Sequence, residues 1–374
     1  LTQAFFERDP VIEGLLCALL AGQHVLLVGP PGTGKSELAH ELCRRVGGAN
    51  YFQWLLTRFT TPEELFGPVS LKALENDRYT RVTEGKLPGA HVAFLDEVFK
   101  ASSAILNTLL SLMNERVFHN GPQPTPVPLI TLVGATNELP DEEELLALSD
   151  RFLLRYEVGY LKEEFLFLRM LSLEEPNSRS GITLEQLRSL REAADRVRVP
   201  ERLKKDLLEL RRQLNEKGVQ ASDRRYRQAL SLLKARATLY GRTQCEPDDL
   251  QLLAHVLWSE PSEKAEVEQA LQRLSTGHED DAQQLLFQAR EVAEFAARAS
   301  DADRGSEGAD IDPEAAQAEA LTKLHDLSRR IDRIVTEAEE RGRPSERVLA
   351  YRDEVRKLVR ALLQGAQRGA EPRH

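Results

Sequence analysis

The stretch HVLLVGPPGTGKS, residues 24–36, decides the fold. Its first half is a short apolar, β-rich run that stops at Gly and Pro, the pattern of a buried strand. Its second half, GPPGTGKS (29–36), fits G-x-x-x-x-G-K-S/T, and the segment from Gly34 to Val46 reads as a helix. A glycine-rich turn between strand and helix lets backbone N–H groups close around phosphates, and the helix N-terminus adds a favourable dipole. Gly29, Pro30, Pro31, Gly32, Thr33, Gly34, Lys35, Ser36 and Glu37 are therefore candidate nucleotide-binding residues. Lys35 is placed to reach the β- and γ-phosphates and Ser36 to ligate Mg²⁺.

Working outward, NYFQWLL (50–56), HVAFLD (91–96), LITLVGAT (129–136) and FLLRYEV (152–158) read as four more strands, with helical patterns between several of them. Alternating buried strands and helices mean a parallel α/β sheet covered on both faces. In VAFLDE (92–97) four apolar residues deliver two carboxylates to the C-terminal end of a strand, where ligands of such sheets gather. Asp96 would hold Mg²⁺ through water. Glu97 would orient and deprotonate the attacking water. One strand later, GATNE (134–138) puts Asn137 where it can help place that water. The stretch LSDRFLLR (148–155) carries Arg151 and Arg155. Phosphoryl transfer spreads charge over equatorial oxygens that an arginine can stabilise. An arginine at the far end of the α/β domain is distant from its own phosphate loop, and in a ring it would meet the neighbour's. By spacing alone, a surface ion pair of Arg151 with Asp150 or Glu144 is the better reading.

Beyond about residue 160 the strand patterns stop. TLEQLRSLREAADRV (183–197) opens with Thr183 and Gln186 at capping-box spacing. RLKKDLLELRRQLNEKG (202–218) and SDRRYRQALSLLKARATLYG (222–241) each stop at Gly, and DDLQLLAHVLW (248–258) follows Pro247. These four segments predict a helical bundle. From Pro261 onward two helical tracts, the acidic linker 301–312 and two further amphipathic helices predict a triple-helical bundle with a disordered tail, 369–374. The domains expected are an α/β core over 1–165, a helical lid over 166–260 and the bundle over 261–368.

The bulk numbers narrow the function. The 374 residues are too many for one ordinary domain. A net charge of −10 argues against a broad nucleic-acid surface. Cys17, Cys43 and Cys245 stand far apart without a CxxC or Cys/His cluster, which disfavours structural zinc and fits a reducing compartment. No apolar run approaches membrane-spanning length, and LTQAFFERDP lacks the features of a signal peptide, so a cytoplasmic location is expected.

GPPGTGKS, FLDE, GATN and SDRF, in that order, resemble an AAA+ ATPase. TRFTTPEELFGPVSLKAL (57–74), EGKLPGAHVAFLDEVFKASSAILNTLLSLMNERVFHNG (84–121) and ASDRRYRQALSLLKARA (221–237) resemble, more narrowly, the MoxR group and its RavA branch. The resemblance covers about residues 5–258. It implies a five-stranded AAA+ sheet with an all-α lid, ATP and Mg²⁺ as ligands, and a β-hairpin inserted at 117–128. It also implies a hexameric ring acting with a von Willebrand factor A (vWA) domain partner in chaperone-like remodelling or maturation of protein complexes. Asn137 matches the sensor 1 position, Arg151 the arginine finger and Arg224 the lid's sensor 2, with Arg225 beside it. Arg155 is a second finger candidate, and Val11 and Ile12 are further candidate site residues. One departure is that RavA proteins interrupt the triple-helical bundle with a small β-rich domain associated with binding a lysine decarboxylase. Here the corresponding place holds DADRGSEGADID (301–312), so the resemblance does not extend to decarboxylase binding. Competing readings are a slow ATP-dependent assembly switch, a nucleic-acid motor and a chelatase-type subunit. The acidic balance disfavours the nucleic-acid motor.

Overall fold

The computed structural model describes residues 1–2, 4–121, 124–140, 142–172, 181–302, 313–340 and 346–369. Helix α1 (Asp9–Ala21) leads into β1 (His24–Val28), and the loop 29–34 opens α2 (Lys35–Arg44). A two-residue strand β2 (Val46–Gly47) precedes β3 (Tyr51–Leu55). The short helices α3 (Pro62–Phe66) and α4 (Leu71–Leu74) come before β4 (Val92–Asp96). Then follow α5 (Ser103–Asn114), β5 (Val117–His119), β6 (Pro124–Pro126), β7 (Thr131–Thr136), α6 (Glu143–Ser149), β8 (Phe152–Glu157) and α7 (Glu164–Leu171). After β9 (Ile182–Thr183) come α8 (Leu184–Arg196), α9 (Glu201–Glu216), α10 (Asp223–Leu239) and a 3-10 segment, Pro247–His255. The C-terminal helices are α11 (Pro261–Ala302), α12 (Pro313–Glu340) and α13 (Glu346–Gly369).

Five strands form one parallel sheet in the order β3-β4-β7-β1-β8. All five predicted strands are present. Their continuous apolar runs follow from burial on both faces: every residue of β7 is buried, as are Val92–Leu95 of β4. Helix α5 packs Ile105, Leu106, Leu109, Leu112 and Met113 inward, the recurrence expected of a helix lying on a sheet. Gly134 of β7 is a glycine for space: a Cβ there would lie 2.7 Å from the Phe152 ring.

The crossovers decide where chemistry can sit. Because the strands are parallel, their C-terminal ends share one edge of the sheet and their N-terminal ends the other. β1 lies in the middle of the order, with Val28 in register with Thr136 on one side and Glu157 on the other. The loop leaving β1 therefore opens beside the end of β7, one strand from the end of β4.

In the helical region, Thr183 and Gln186 form the expected capping box on α8, and Gly218 ends α9 at φ 83°. Two expectations change. Strands do not cease at 160, because β9 pairs in parallel with β2. The segment after Pro247 is a 3-10 helix, held by the fully buried Asp249, which accepts from both guanidinium nitrogens of Arg242 and from Glu246 N. Helix α7 had no counterpart in the sequence reading. The hairpin expected within 117–128 is the antiparallel pair β5–β6; residues 122–123 lie outside the described ones.

The chain divides into two compact units, Leu1–Glu268 and Gln269–His374. The second has its own core: Ala282, Leu285, Leu286 and Ala289 of α11, Leu324, Leu327, Ile331 and Val335 of α12, and Val348 and Val355 of α13. The ion pairs Glu279–Arg347 and Arg290–Glu354 link α11 and α13 in rising order, so these two helices run parallel. The two helical tracts read between 261 and 300 are one helix, α11. Of the expected linker, 301 and 302 belong to α11 and 303–312 lie outside the described residues, as do Gly342, Pro344 and residues 370–374 of the expected tail.

Candidate functional site

The loop 29–34 is shaped by three glycines. Gly32 and Gly34 both sit at φ 78°, and no atom lies within 4 Å of where their Cβ would be, so the loop is open on that side. Gly29 N donates to Thr136 O (2.9 Å), which fastens the loop to β7. Gly34 is the N-cap of α2, so the N–H groups of Lys35, Ser36 and Glu37 belong to the first turn, which has no intrahelical acceptors. Lys35 is buried, and its ammonium donates to Gly29 O and Pro30 O, both at 2.7 Å. Thr33 Oγ1 donates to Pro30 O. Burial lowers the Lys35 pKa, while Asp96 and Glu97 raise it, which puts both carboxylates within electrostatic reach of the ammonium. An open concavity of backbone donors with a lysine at its rim fits a polyphosphate.

Asp96 ends β4, and its Oδ1 accepts from Glu97 N (3.0 Å). Glu97 takes left-handed backbone angles (φ 53°), rare for a residue with a side chain. This turns its carboxylate toward the end of β7, where Asn137 Nδ2 donates to Oε1 at 2.7 Å. Lys35, Asp96, Glu97 and Asn137 are thus gathered at the C-terminal edge of the sheet. Among the described residues no group of three or more His, Cys, Asp or Glu could hold a metal. Mg²⁺ needs less from protein: it keeps several waters and takes one or two carboxylates plus phosphate oxygens, a donor set that Ser36 and Asp96 fit. Lys100, which the sequence reading passed over, approaches Glu97 Oε2 at 3.3 Å from three residues downstream.

The arginines lie elsewhere. Arg151 immediately precedes β8, whose first residue pairs with His24 at the start of β1. The five residues of β1, at about 3.3 Å each, keep Arg151 on the order of 17 Å from its own phosphate loop. Its side chain is 22% exposed and meets Asp150 Oδ2 at only 3.4 Å. Its pKa is lowered by burial and by Arg224. Arg224 is exposed, and its Nη2 donates to Asn114 Oδ1 (2.7 Å) at the end of α5. That end is tied to the start of β1 by the bond between His24 Nε2 and Met113 O. Arg151 and Arg224 therefore share the N-terminal edge, opposite Lys35.

The four other candidates, Arg155, Arg225, Val11 and Ile12, are buried. Arg155 is 3% exposed and donates to Trp258 O (2.6 Å) and Ser149 O (3.2 Å), while burial and nearby Arg225 push its pKa down to about 9. It ties β8 to the segment after the 3-10 helix and is not free to serve as a finger. Arg225, 2% exposed, donates to Asp150 Oδ1, Val256 O, Phe152 O and Leu153 O, so it joins α10 to β8 rather than sensing a ligand. Val11 and Ile12 are buried side chains of α1. Ile12 lines a cavity of about 360 Å³ with Leu16, Leu19, Leu42 and Val46. A one-residue rotation on α10 separates the exposed Arg224 from the buried Arg225, and the local spacing held no signal for it.

Two family descriptions match the chain: "MoxR domain in the MoxR-vWA-beta-propeller ternary systems" over residues 1–191, and an AAA lid domain over 202–271. The chain is 43% identical over 265 residues to MJ0812, an uncharacterized protein of Methanocaldococcus jannaschii, covering 70% of each chain. It is 30% identical over 212 residues to the chaperone MoxR1 of Mycobacterium tuberculosis, covering 54% of this chain and 53% of that one. Its fold is similar to a crystal structure of a protein from Cytophaga hutchinsonii provisionally assigned as an ATPase. That likeness has a TM-score of 0.59 at 19% identity, over 73% of this chain and 90% of that one. No helix among the described residues is long and apolar enough to cross a membrane. A phosphate loop facing an acidic strand end, an AAA lid and a family match over more than half its length establish that the chain belongs to the MoxR family of AAA+ ATPases.

Proposed function

We propose that this chain hydrolyses ATP with Mg²⁺ as a subunit of a hexameric ring whose active sites are shared between neighbours. Lys35 and the backbone donors of 29–37 hold the phosphates. Ser36 and Asp96 hold the metal, Asp96 through water. Glu97, steadied by Asn137, orients the attacking water and takes its proton. The neighbour's Arg151, with Arg224 beside it, approaches the γ-phosphate from the other side, where developing charge is otherwise uncompensated. The observation that carries this reading is the separation of the two groups onto opposite edges of one sheet. Neither arginine can serve its own phosphate loop across about 17 Å of strand, whereas a head-to-tail contact brings one edge to the other.

The ring, on this reading, acts in the cytoplasm with a vWA-domain partner, in chaperone-like remodelling or maturation of protein complexes. The family description's mention of vWA systems and the mycobacterial chaperone relative support it. The RavA-like placement rests on the strings quoted above. Residues 1–165 are the core, 166–260 the lid and 261–368 the bundle.

The test of sharing is a mixing experiment. Arg151→Ala keeps its phosphate loop, and Lys35→Ala keeps its finger. Each alone should hydrolyse ATP poorly. Mixed, they should recover activity at those interfaces where an intact loop meets an intact finger. Absence of recovery in assembled mixed rings would overturn the shared site. For the partner, capture with Glu97→Gln and ATP followed by mass spectrometry should return a vWA-domain protein; its reproducible absence sinks the pairing.

A further inference from the structure

We propose that Lys100 is a positioning residue for hydrolysis, fixing the Glu97 carboxylate from the side opposite Asn137; this rests on Glu97 acting as the base. Glu97 caps the turn Val98–Lys100, whose last residue returns a backbone bond to it, Lys100 N to Glu97 O at 2.9 Å. The same turn brings the Lys100 ammonium to Glu97 Oε2 at 3.3 Å, while Asn137 Nδ2 holds Oε1 at 2.7 Å. One carboxylate oxygen therefore accepts a hydrogen bond from Asn137 and the other faces the Lys100 ammonium in an ion pair, so the two oxygens are held from two elements. That arrangement fixes both the position and the plane of the carboxylate, and each oxygen keeps a second lone pair for a water. One donor alone would leave rotation about the remaining contact.

The partners differ in a way that assigns them different work. The Glu97 side chain is 17% exposed and the Lys100 side chain 56%. An exposed lysine paired to a carboxylate contributes little to stability, so the pair is not needed to hold the turn. The backbone bond already closes it. What the ammonium adds is orientation of a carboxylate whose left-handed backbone has turned it toward β7.

Five proteins test this: the parent, Lys100→Met, Lys100→Arg, Glu97→Gln, and Lys100→Met combined with Glu97→Gln. They are compared by steady-state ATP hydrolysis, by binding of a fluorescent ATP analogue and by thermal melting. Lys100→Met should lower kcat about fivefold, with KM, nucleotide affinity and melting temperature unchanged. Lys100→Arg should restore most of the loss. In the Glu97→Gln background Lys100→Met should change nothing further, because no carboxylate remains to orient. Full activity of Lys100→Met beside an inactive Glu97→Gln overturns the role of Lys100 alone. An equal loss in both backgrounds also overturns it, because Lys100 would then act elsewhere. Full activity of Glu97→Gln overturns the base assignment and the proposal with it.

Discussion

The two edges of one sheet carry opposite chemistry. At the C-terminal edge, Lys35, Asp96, Glu97 and Asn137 come from three separate strand ends and meet over an open loop. At the N-terminal edge, Arg151 and Arg224 stand near Asn114 with weak or exposed partners, while Arg155 and Arg225, their neighbours in sequence, are buried and bonded to carbonyls. One edge gathers the phosphate loop, two carboxylates and an amide. The other carries two arginines on polar side chains, Asp150 and Asn114. The buried pair shows what structural arginines look like in this molecule, which makes the exposed pair stand out.

The comparison can be broken most readily at Arg151. If it works on a neighbour's phosphate, Arg151→Ala should cost about 10³-fold or more in hydrolysis, with ATP binding and melting temperature nearly unchanged. An arginine of structural purpose would give the reverse. Arg225→Ala should be that reverse case, destabilising by about 3–5 kcal/mol by chemical denaturation, because it removes a donor from Asp150 and from three carbonyls. Equal loss of stability in both variants would erase the distinction between the pairs.

A smaller effect sharpens the N-terminal edge as a folded element. His24 is buried at the start of β1. Its Nδ1 accepts from Leu132 N (2.9 Å) and its Nε2 faces Met113 O, so it is the neutral tautomer with the proton on Nε2. Burial, with Arg116 nearby, holds its pKa well below the usual histidine value. The unfolded chain therefore binds this proton first as pH falls. Stability is complete above about pH 6.5 and declines below it, by up to about 1.4 kcal/mol per pH unit for this group. His24→Gln can make both hydrogen bonds without titrating. Melting between pH 7 and pH 5 should show a shallower decline in that variant; an unchanged slope would place the proton uptake elsewhere, with His255, held at about 4 by burial and Lys264, the next group to examine.

The sequence was legible where chemistry is local. A run such as VAFLD is buried on both faces wherever it sits in a parallel sheet, and G-x-x-x-x-G-K-S can close only as a turn between strand and helix. The structure brings Asp96, Glu97 and Asn137 to the sheet edge that carries Lys35. Lys100 was readable in principle, since it follows Glu97 at i, i+3 spacing, but a lysine after an acidic pair has many solvated explanations.

What the sequence alone determined, then, is the sheet, the phosphate loop and the acidic strand end, because hydrophobic periodicity and glycine geometry act over a few residues. Tertiary structure alone decided which arginine of each pair is a buried strut and which is not. The partners of Arg155 and Arg225 lie up to 103 residues away along the chain, at Trp258 O and at Asp150 with the start of β8. A guanidinium is buried only where distant carbonyls converge on it, and no local spacing encodes that convergence.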